Sequence, residues 1–427
     1  MNVCYENIRI VSPVQQLHIT GYLWIKNGII EYVGEQRPDV PNDVEILKGN
    51  DLVAAPGFFD MHVHLREPGQ THKETIETGT DSAANGGFTG VVCMPNTEPA
   101  IDSIQTLEFI KNRSANNIVN VHCCATITKA RKGDELANML SMVEAGAVMF
   151  SDDGGCVESA DMMRRAFDYT SPFDALLTQH CEEHSMTKNF AMHEGSVSAD
   201  LGLKGYPSVA EDIIVARDIL LAEYCGNRRY HAAHLSTKGS VRLIADAKKR
   251  GQRVSGEVAP HHFILTDEAV RGYNTNAKMN PPLRTQADVE AMWQALSDDV
   301  IDVIATDHAP HTFEEKMVEF DNAPNGIVGL ETAIGVACTQ LLHRNVVSLD
   351  KLIEKMSVNP RKVLNLPQPL LQQGAIANIT IFNPDAEWSV IPERFLTKSK
   401  NTPFTEYQFK GKPVRVFNNL KMVDCML

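Results

Sequence analysis

Two histidines separated by one residue end the apolar run Phe58-Phe59-Asp60-Met61-His62-Val63-His64. Side chains alternate along an extended strand, so His62 and His64 emerge on the same side, where one divalent cation can take both imidazoles. Such a pair is common by itself. It gains meaning from repetition, because Ser151-Asp152-Asp153, His180, His234 and Asp307 also close apolar runs. Four histidines and two carboxylates suit a borderline Lewis acid such as zinc, which accepts imidazole nitrogen and carboxylate oxygen alike. Rival chemistries find little support. A serine hydrolase needs a G-x-S-x-G elbow, which the chain lacks. No G-x-G-x-x-G or G-x-x-x-x-G-K-[ST] loop follows the early strands. The nine cysteines are scattered without a C-x-x-C pair and read as reduced core thiols. His122, His184 and His193 read as structural histidines, whereas His261 and His262 fit a structural or a ligand-supporting role equally.

Ligands so far apart in sequence need a scaffold. Candidate strands are Val53–His62, Thr89–Met94, Val119–Thr126, Gly146–Ser151, Ala175–His180, Tyr230–Leu235, Arg253–Val258 and Val303–Thr306. Helical patterns fall between most of them, at Ile104–Arg113, Asp134–Ala145, Ser208–Tyr224, Lys238–Arg250 and Asp288–Ala295. This alternation, about eight times over about 300 residues, predicts an α/β fold: a parallel (β/α)8 TIM-like barrel rather than an open doubly wound sheet. Barrel chemistry sits at the C-terminal ends of the strands, where the ligand types fall. The chain ends read differently. Gly21–Val33 alternates apolar and polar residues around the hairpin dipeptide Asn27-Gly28, and Ala375–Phe382 and Val414–Val416 repeat that character before a turn at Asn418-Asn419. The expected division is a small β-sandwich domain built from 1–53 and 360–427, flanking a hydrolase barrel over 54–359.

The 427 residues are 43% hydrophobic and 22% charged, which supplies a large core and room for a smaller companion domain. Asp and Glu outnumber Lys and Arg by 54 to 40, and the net charge of -14 repels phosphate backbones and anionic lipid. Nucleic acid and membranes are therefore not expected as partners. A small anionic substrate is allowed if a local cation opposes the global field. Met1 to Glu6 lacks the basic and apolar stretches of a signal peptide, and no run approaches a membrane span, so a cytoplasmic location is expected.

The run Pro56-Gly57-Phe58-Phe59-Asp60-Met61-His62-Val63-His64-Leu65-Arg66-Glu67-Pro68-Gly69 resembles a signature of the dihydroorotases of class I type, within the amidohydrolase superfamily. Ala305-Thr306-Asp307-His308-Ala309-Pro310-His311 resembles the second signature of that family. Met94-Pro95-Asn96-Thr97, Ser151-Asp152-Asp153-Gly154, His231 to Thr237 and Met279-Asn280-Pro281-Pro282 fall between them in the family's order. The resemblance implies a metal-dependent cyclic amide hydrolase with one or two zinc ions. Its reaction would be the reversible hydrolysis of (S)-dihydroorotate to N-carbamoyl-L-aspartate, the third step of de novo pyrimidine (UMP) biosynthesis.

Carried over by position, the resemblance makes His62, His64 and Asp307 ligands of one zinc. His180 and His234 hold the second, and Asp153 or its neighbour Asp152 bridges where many superfamily members carry a carboxylated lysine. Asp307 becomes the base that takes a proton from water and the acid that returns it to the leaving nitrogen. His64, Arg66, Asn96, Asn280, His311, Asn325 and Gly326 face the substrate, with Arg66 gripping its carboxylate through a forked pair of hydrogen bonds. Asn280 is expected to offer its amide to the ring imide. The competing use of Arg66 is a surface salt bridge with Glu67. A related cyclic amidase, an allantoinase or dihydropyrimidinase, is the nearest alternative, but it has no ring carboxylate to hold and usually keeps the lysine. A non-catalytic dihydroorotase-like scaffold of aspartate transcarbamoylase loses metal ligands, whereas this chain has all six. A homodimer and an association with aspartate transcarbamoylase are compatible with the resemblance.

Overall fold

In the computed structural model, which describes residues 1–427, eight parallel strands succeed one another around a barrel in chain order. They are Phe58–Val63, Phe88–Cys93, Asn120–Ala125, Ala147–Phe150, Leu177–Gln179, Tyr230–Ala232, Val254–Val258 and Val303–Ile304. Strands covered by helices outside and packed side chains inside are buried on both faces, so they read as continuous apolar runs rather than as alternation. Phe58–Val63 and Phe88–Cys93 are buried throughout. The (β/α)8 barrel expected from the alternation is the fold that forms.

No full ladder joins the last strand to the first. A side chain closes the gap: the buried Asp60 carboxylate accepts from the backbone N–H of Thr306 at 3.1 Å and from that of His62 at 3.0 Å. Beyond it, Val63 bridges His308 in parallel and His64 N–H donates to the His308 carbonyl at 2.9 Å. The ring of strand ends that carries His62 and Asp307 is thus locked by hydrogen bonds at the seam itself.

The expected strand Val53–His62 is two strands. Val53–Pro56 belongs to a different sheet and the barrel begins at Phe58. Gly57 allows the crossing, since a Cβ there would meet Asn378 Oδ1 at 2.1 Å and Thr89 Oγ1 at 2.2 Å. Helices Ile104–Ser114, Val209–Tyr224, Lys238–Lys249 and Gln286–Ser297 fall where the periodicity places them, while the helix expected from Asp134 starts only at Met139. Helices Ile76–Asn85 and Ala160–Thr170 were not expected from the pattern. The first is rich in Thr, Ser and Gly, so its local propensity is weak, and a Thr75 capping box starts it.

The second sheet joins both chain ends. Its path runs from Lys421–Asp424 through Gln408–Asn418, Ile379–Ser389, Val53–Pro56, Asn2–Ser12 and Leu17–Lys26 to Ile29–Gly34, with Glu45–Lys48 pairing Asn2–Ser12 off the path. Asn27 and Gly28 both take positive φ, 50° and 78°, as the two-residue hairpin between Leu17–Lys26 and Ile29–Gly34 requires. Ile8, Ile10, Leu23, Ile25, Ile379, Ile381 and Phe417 share one buried cluster, so neither end encloses a core alone. No helix is long and apolar enough to cross a membrane.

Candidate metal centre and active site

The six expected metal ligands arrive from five strand ends. His62 and His64 leave the first strand, Asp153 follows the fourth, His180 the fifth, His234 the sixth and Asp307 the eighth. All six lie on one side of the barrel, and their side chains converge. His62 Nε2 is 3.5 Å from Asp153 Oδ2 and 3.5 Å from Asp307 Oδ1. His64 Nε2 is 2.9 Å from Asp307 Oδ1 and 3.6 Å from Asp153 Oδ2. On the other flank, His234 Nε2 lies 3.4 Å and His180 Nδ1 3.8 Å from Asp153 Oδ1, and the two ring nitrogens are 2.9 Å apart. Donor atoms of His62, His64 and Asp307, and those of His62, Asp153 and His234, each gather within 4.8 Å.

A cation fits this donor set. His62 Nε2 and Asp153 Oδ1 are buried without a hydrogen-bond partner, a costly condition that a shared positive ion relieves. The neighbouring aspartate is spent elsewhere: Asp152 accepts from the backbone N–H groups of Ile127 and Thr128 at 2.9 and 3.0 Å, and from the Thr128 hydroxyl. Only Asp153 reaches the cluster. Burial raises the Asp153 and Asp307 carboxyls, but nearby histidines outweigh it and hold both below the ordinary carboxylate range. His234 and Asp307 themselves sit at positive φ, 30° and 50°. A histidine and an aspartate held in this region carry local backbone strain, as is found where a side chain must be aimed rather than merely packed.

A carboxylate absent from the sequence reading supports the centre from below. Glu257, on the seventh strand, lies 2.6 Å from His62 Nδ1 through Oε1, and its Oε2 is 3.2 Å from His231 Nε2. Such a partner fixes which ring nitrogen of a ligating histidine carries the proton. Glu257→Gln is expected to fold normally and weaken metal affinity by about 10–100-fold, measured by chelator competition. Unchanged affinity would remove Glu257 from that role. His261 and His262 follow the same strand but do not line the cavity above the ligands.

That cavity, about 240 Å³, is lined by His64, Arg66, Asn96, Asn280, His311, Asn325 and Gly326, beside Asp153, His180, His234 and Asp307. His62 lies beneath it. Gly154 and Ala309 also line it and were not anticipated. Arg66, at φ 61°, is buried and donates through Nε to the Pro310 carbonyl at 3.2 Å, with Nη2 3.3 Å from His311 Nε2. No carboxylate pairs with it, because Glu67 is taken by Arg113 at 3.4 Å and by the Ile76 N–H at 2.8 Å. Burial lowers the guanidinium to about 10 against the opposing pull of Asp307, Glu315 and Asp153, so it stays charged at neutral pH and lines the cavity without a directly bonded carboxylate. Asn96 Oδ1 lies 2.8 Å from His64 Nδ1, which leaves its amide N–H groups for a ligand. Asn280 Nδ2 donates to Glu182 at 2.7 Å, which leaves its Oδ1 without a partner at the cavity wall.

Gly326, at φ 132°, lets the loop approach Ala309, where a Cβ would come within 2.7 Å of the Ala309 methyl. Asn401, from the C-terminal segment, ties the wall together by donating to the Ala309 and Gly326 carbonyls at 3.0 Å each and accepting from His311 N–H at 2.9 Å.

Comparison with known proteins agrees with this geometry. Residues 51–240 match a family model described as dihydro-orotase-like. The dihydroorotase of Pelotomaculum thermopropionicum is 53% identical over 369 residues, 86% of each chain. That of Syntrophus aciditrophicus is 45% identical over 415 residues, 97% of each chain. Among solved structures, L-hydantoinase (dihydropyrimidinase) from Arthrobacter aurescens superposes with a TM-score of 0.84 at 21% identity, covering 99% of this chain and 96% of that one. The last likeness speaks to the barrel architecture. At 53% and 45% identity over 86% and 97% of the chain, the two dihydroorotases establish that this chain belongs to the dihydroorotase family.

Proposed function

We propose that the chain's hydrolysis of the dihydroorotate ring runs in the cavity above His62, with Asp307 moving the proton and Arg66 holding the substrate carboxylate. The single observation that carries this reading is the adjacency, at one cavity, of the converging histidine and aspartate donors and a buried guanidinium without a directly bonded carboxylate. The activity itself, dihydroorotase activity in pyrimidine biosynthesis, goes with the family, whose members are metal-dependent cyclic amide hydrolases acting on a small molecule.

His62, His64 and Asp307 would hold one metal ion and His180 and His234 a second, with Asp153 between them. Zinc, one or two ions per chain, suits imidazole and carboxylate donors and supplies Lewis acidity toward both water and a ring carbonyl. Asp307 accepts a proton from the attacking water and returns it to the ring nitrogen, which leaves poorly as an anion. Arg66 fixes the ring's carboxylate with Asn96 and His311 beside it, and so sets which carbonyl lies over Asp307. His64 and the Asn325 and Gly326 wall bound the ring. A related allantoinase or dihydropyrimidinase would have no use for a charged group at Arg66.

The terminal sheet reaching Pro56 supports a small domain built from both ends, with its first boundary at Gly57 rather than at residue 53. For partners, the outer helix Val209–Tyr224 leaves Leu220 and Tyr224 exposed, which supports a second copy of the chain in a homodimer. Association with aspartate transcarbamoylase and a cytoplasmic location belong to the same reading of the chain as a biosynthetic enzyme.

The deciding experiment pairs a ring-opening assay on (S)-dihydroorotate with elemental analysis of the same protein. Turnover in both directions with one or two zinc ions per chain is expected. Turnover without a transition metal would sink the metal assignment, and no turnover in zinc-loaded protein would sink the reading of the cavity.

A further inference from the structure

Glu182 lies two residues beyond His180, is 4% exposed, and has no place in the reaction described above. Its Oε2 is 3.0 Å from His180 Nε2 and accepts from Asn280 Nδ2 at 2.7 Å, while Oε1 accepts from the Thr187 hydroxyl. His184 Nε2 stands 3.6 Å away. An ionised carboxylate only accepts, so each of these groups must turn a donor toward it. Two orientations follow. His180 carries its proton on Nε2 and turns the lone pair of Nδ1 toward Asp153 and His234. Asn280 is held with its nitrogen on Glu182, and its Oδ1 is left buried at the cavity wall with no partner. A buried, unpaired carbonyl oxygen is expensive unless a ligand satisfies it.

We propose that Glu182 is a positioning residue that sets two groups at once: it aims His180 Nδ1 at the metal site and presents Asn280 to the substrate as a hydrogen-bond acceptor. Asn280 thereby selects rings that carry an N–H at that edge, and it disfavours rings that present a carbonyl or an alkylated nitrogen there. This inference rests on the assignment of the cavity as the substrate site.

The test compares kcat/KM and metal content in zinc-loaded variants. Asn280→Ala is expected to lose about tenfold or more in kcat/KM with metal content unchanged. Glu182→Ala is expected to lose as much and to lose metal as well. Glu182→Gln, whose carbonyl can accept from both His180 and Asn280, is expected to recover most of both. Combining Asn280→Ala with Glu182→Ala should cost no more in kcat/KM than Glu182→Ala alone, because an unheld Asn280 contributes nothing. If Asn280→Ala turns over like the wild type, the placement of Asn280 at the substrate fails, and the site reading with it. Where Asn280→Ala is impaired but the two losses multiply, or Gln at 182 performs no better than Ala, the substrate site stands and the coupling through Glu182 falls. Asn280→Asp gives an arm independent of the folding of Glu182→Ala: it keeps the acceptor, sets two carboxylates together and should lose activity, and Glu182→Gln in that background should restore it. Failure of that rescue would overturn the proposal.

Discussion

Asp307→Asn is expected to lower kcat by about 10²–10⁴-fold in protein that folds and retains metal. The substitution is isosteric and leaves an oxygen for coordination, but an amide cannot accept the proton of an attacking water or carry it to a leaving nitrogen. The environment keeps the carboxylate ionised. Burial alone would push its proton affinity up, yet His64 Nε2 at 2.9 Å, with His62 and His234 nearby, holds the group below the ordinary carboxylate range, so it stands ionised at neutral pH. Kinetics and metal content must be read together. Undiminished turnover in the metal-loaded variant would take Asp307 out of proton transfer, and a loss that tracks loss of metal would leave it a ligand only.

Arg66→Met is expected to lower kcat/KM for dihydroorotate by about 10²–10⁴-fold without changing metal content. A forked guanidinium makes two charge-assisted hydrogen bonds to a carboxylate, each worth about 1.5–3 kcal/mol, and every 1.4 kcal/mol is about tenfold. Methionine keeps much of the side-chain volume and removes the charge. The structure strengthens the case because Arg66 is buried and its sequence neighbour Glu67 is engaged by Arg113 and the Ile76 N–H. Arg66→Lys should recover only part of the loss, since an ammonium cannot reproduce the fork. Equal activity in the methionine variant would remove Arg66 from the substrate site. The overall charge of -14 makes this residue matter more: an anion reaching the cavity meets a repulsive surface and needs a local cation to hold it.

Much of this site was legible in the residues. The His62 and His64 pair depends only on the two-residue period of a strand, and the closing positions of Asp153, His180, His234 and Asp307 depend only on where apolar runs stop. Glu257 and Glu182 were not legible. Each is an unremarkable glutamate in the chain: Glu257 acquires its role by meeting His62 across the barrel at 2.6 Å, and Glu182 by turning back onto His180 at 3.0 Å and meeting Asn280 from a distant loop. A signal did exist for Glu182, two residues past a ligand histidine, but spacing alone does not distinguish it from Glu183 beside it, which caps a helical turn instead.

Local periodicity and residue chemistry by themselves determined the barrel, the terminal β-structure and the set of metal-ligand types, because strand alternation, helix periodicity and turn dipeptides act over a few residues. Tertiary structure alone decided the rest. That Asp153 rather than Asp152 turns toward the histidine cluster follows from the backbone N–H groups of Ile127 and Thr128, which engage the earlier carboxylate. The freedom of Arg66 came from where Arg113 lies, and the polarity of Asn280 from Glu182, ninety-eight positions away along the chain. Which way a hydrogen-bonding group faces is set by its partner, and these partners are brought together only when the barrel closes.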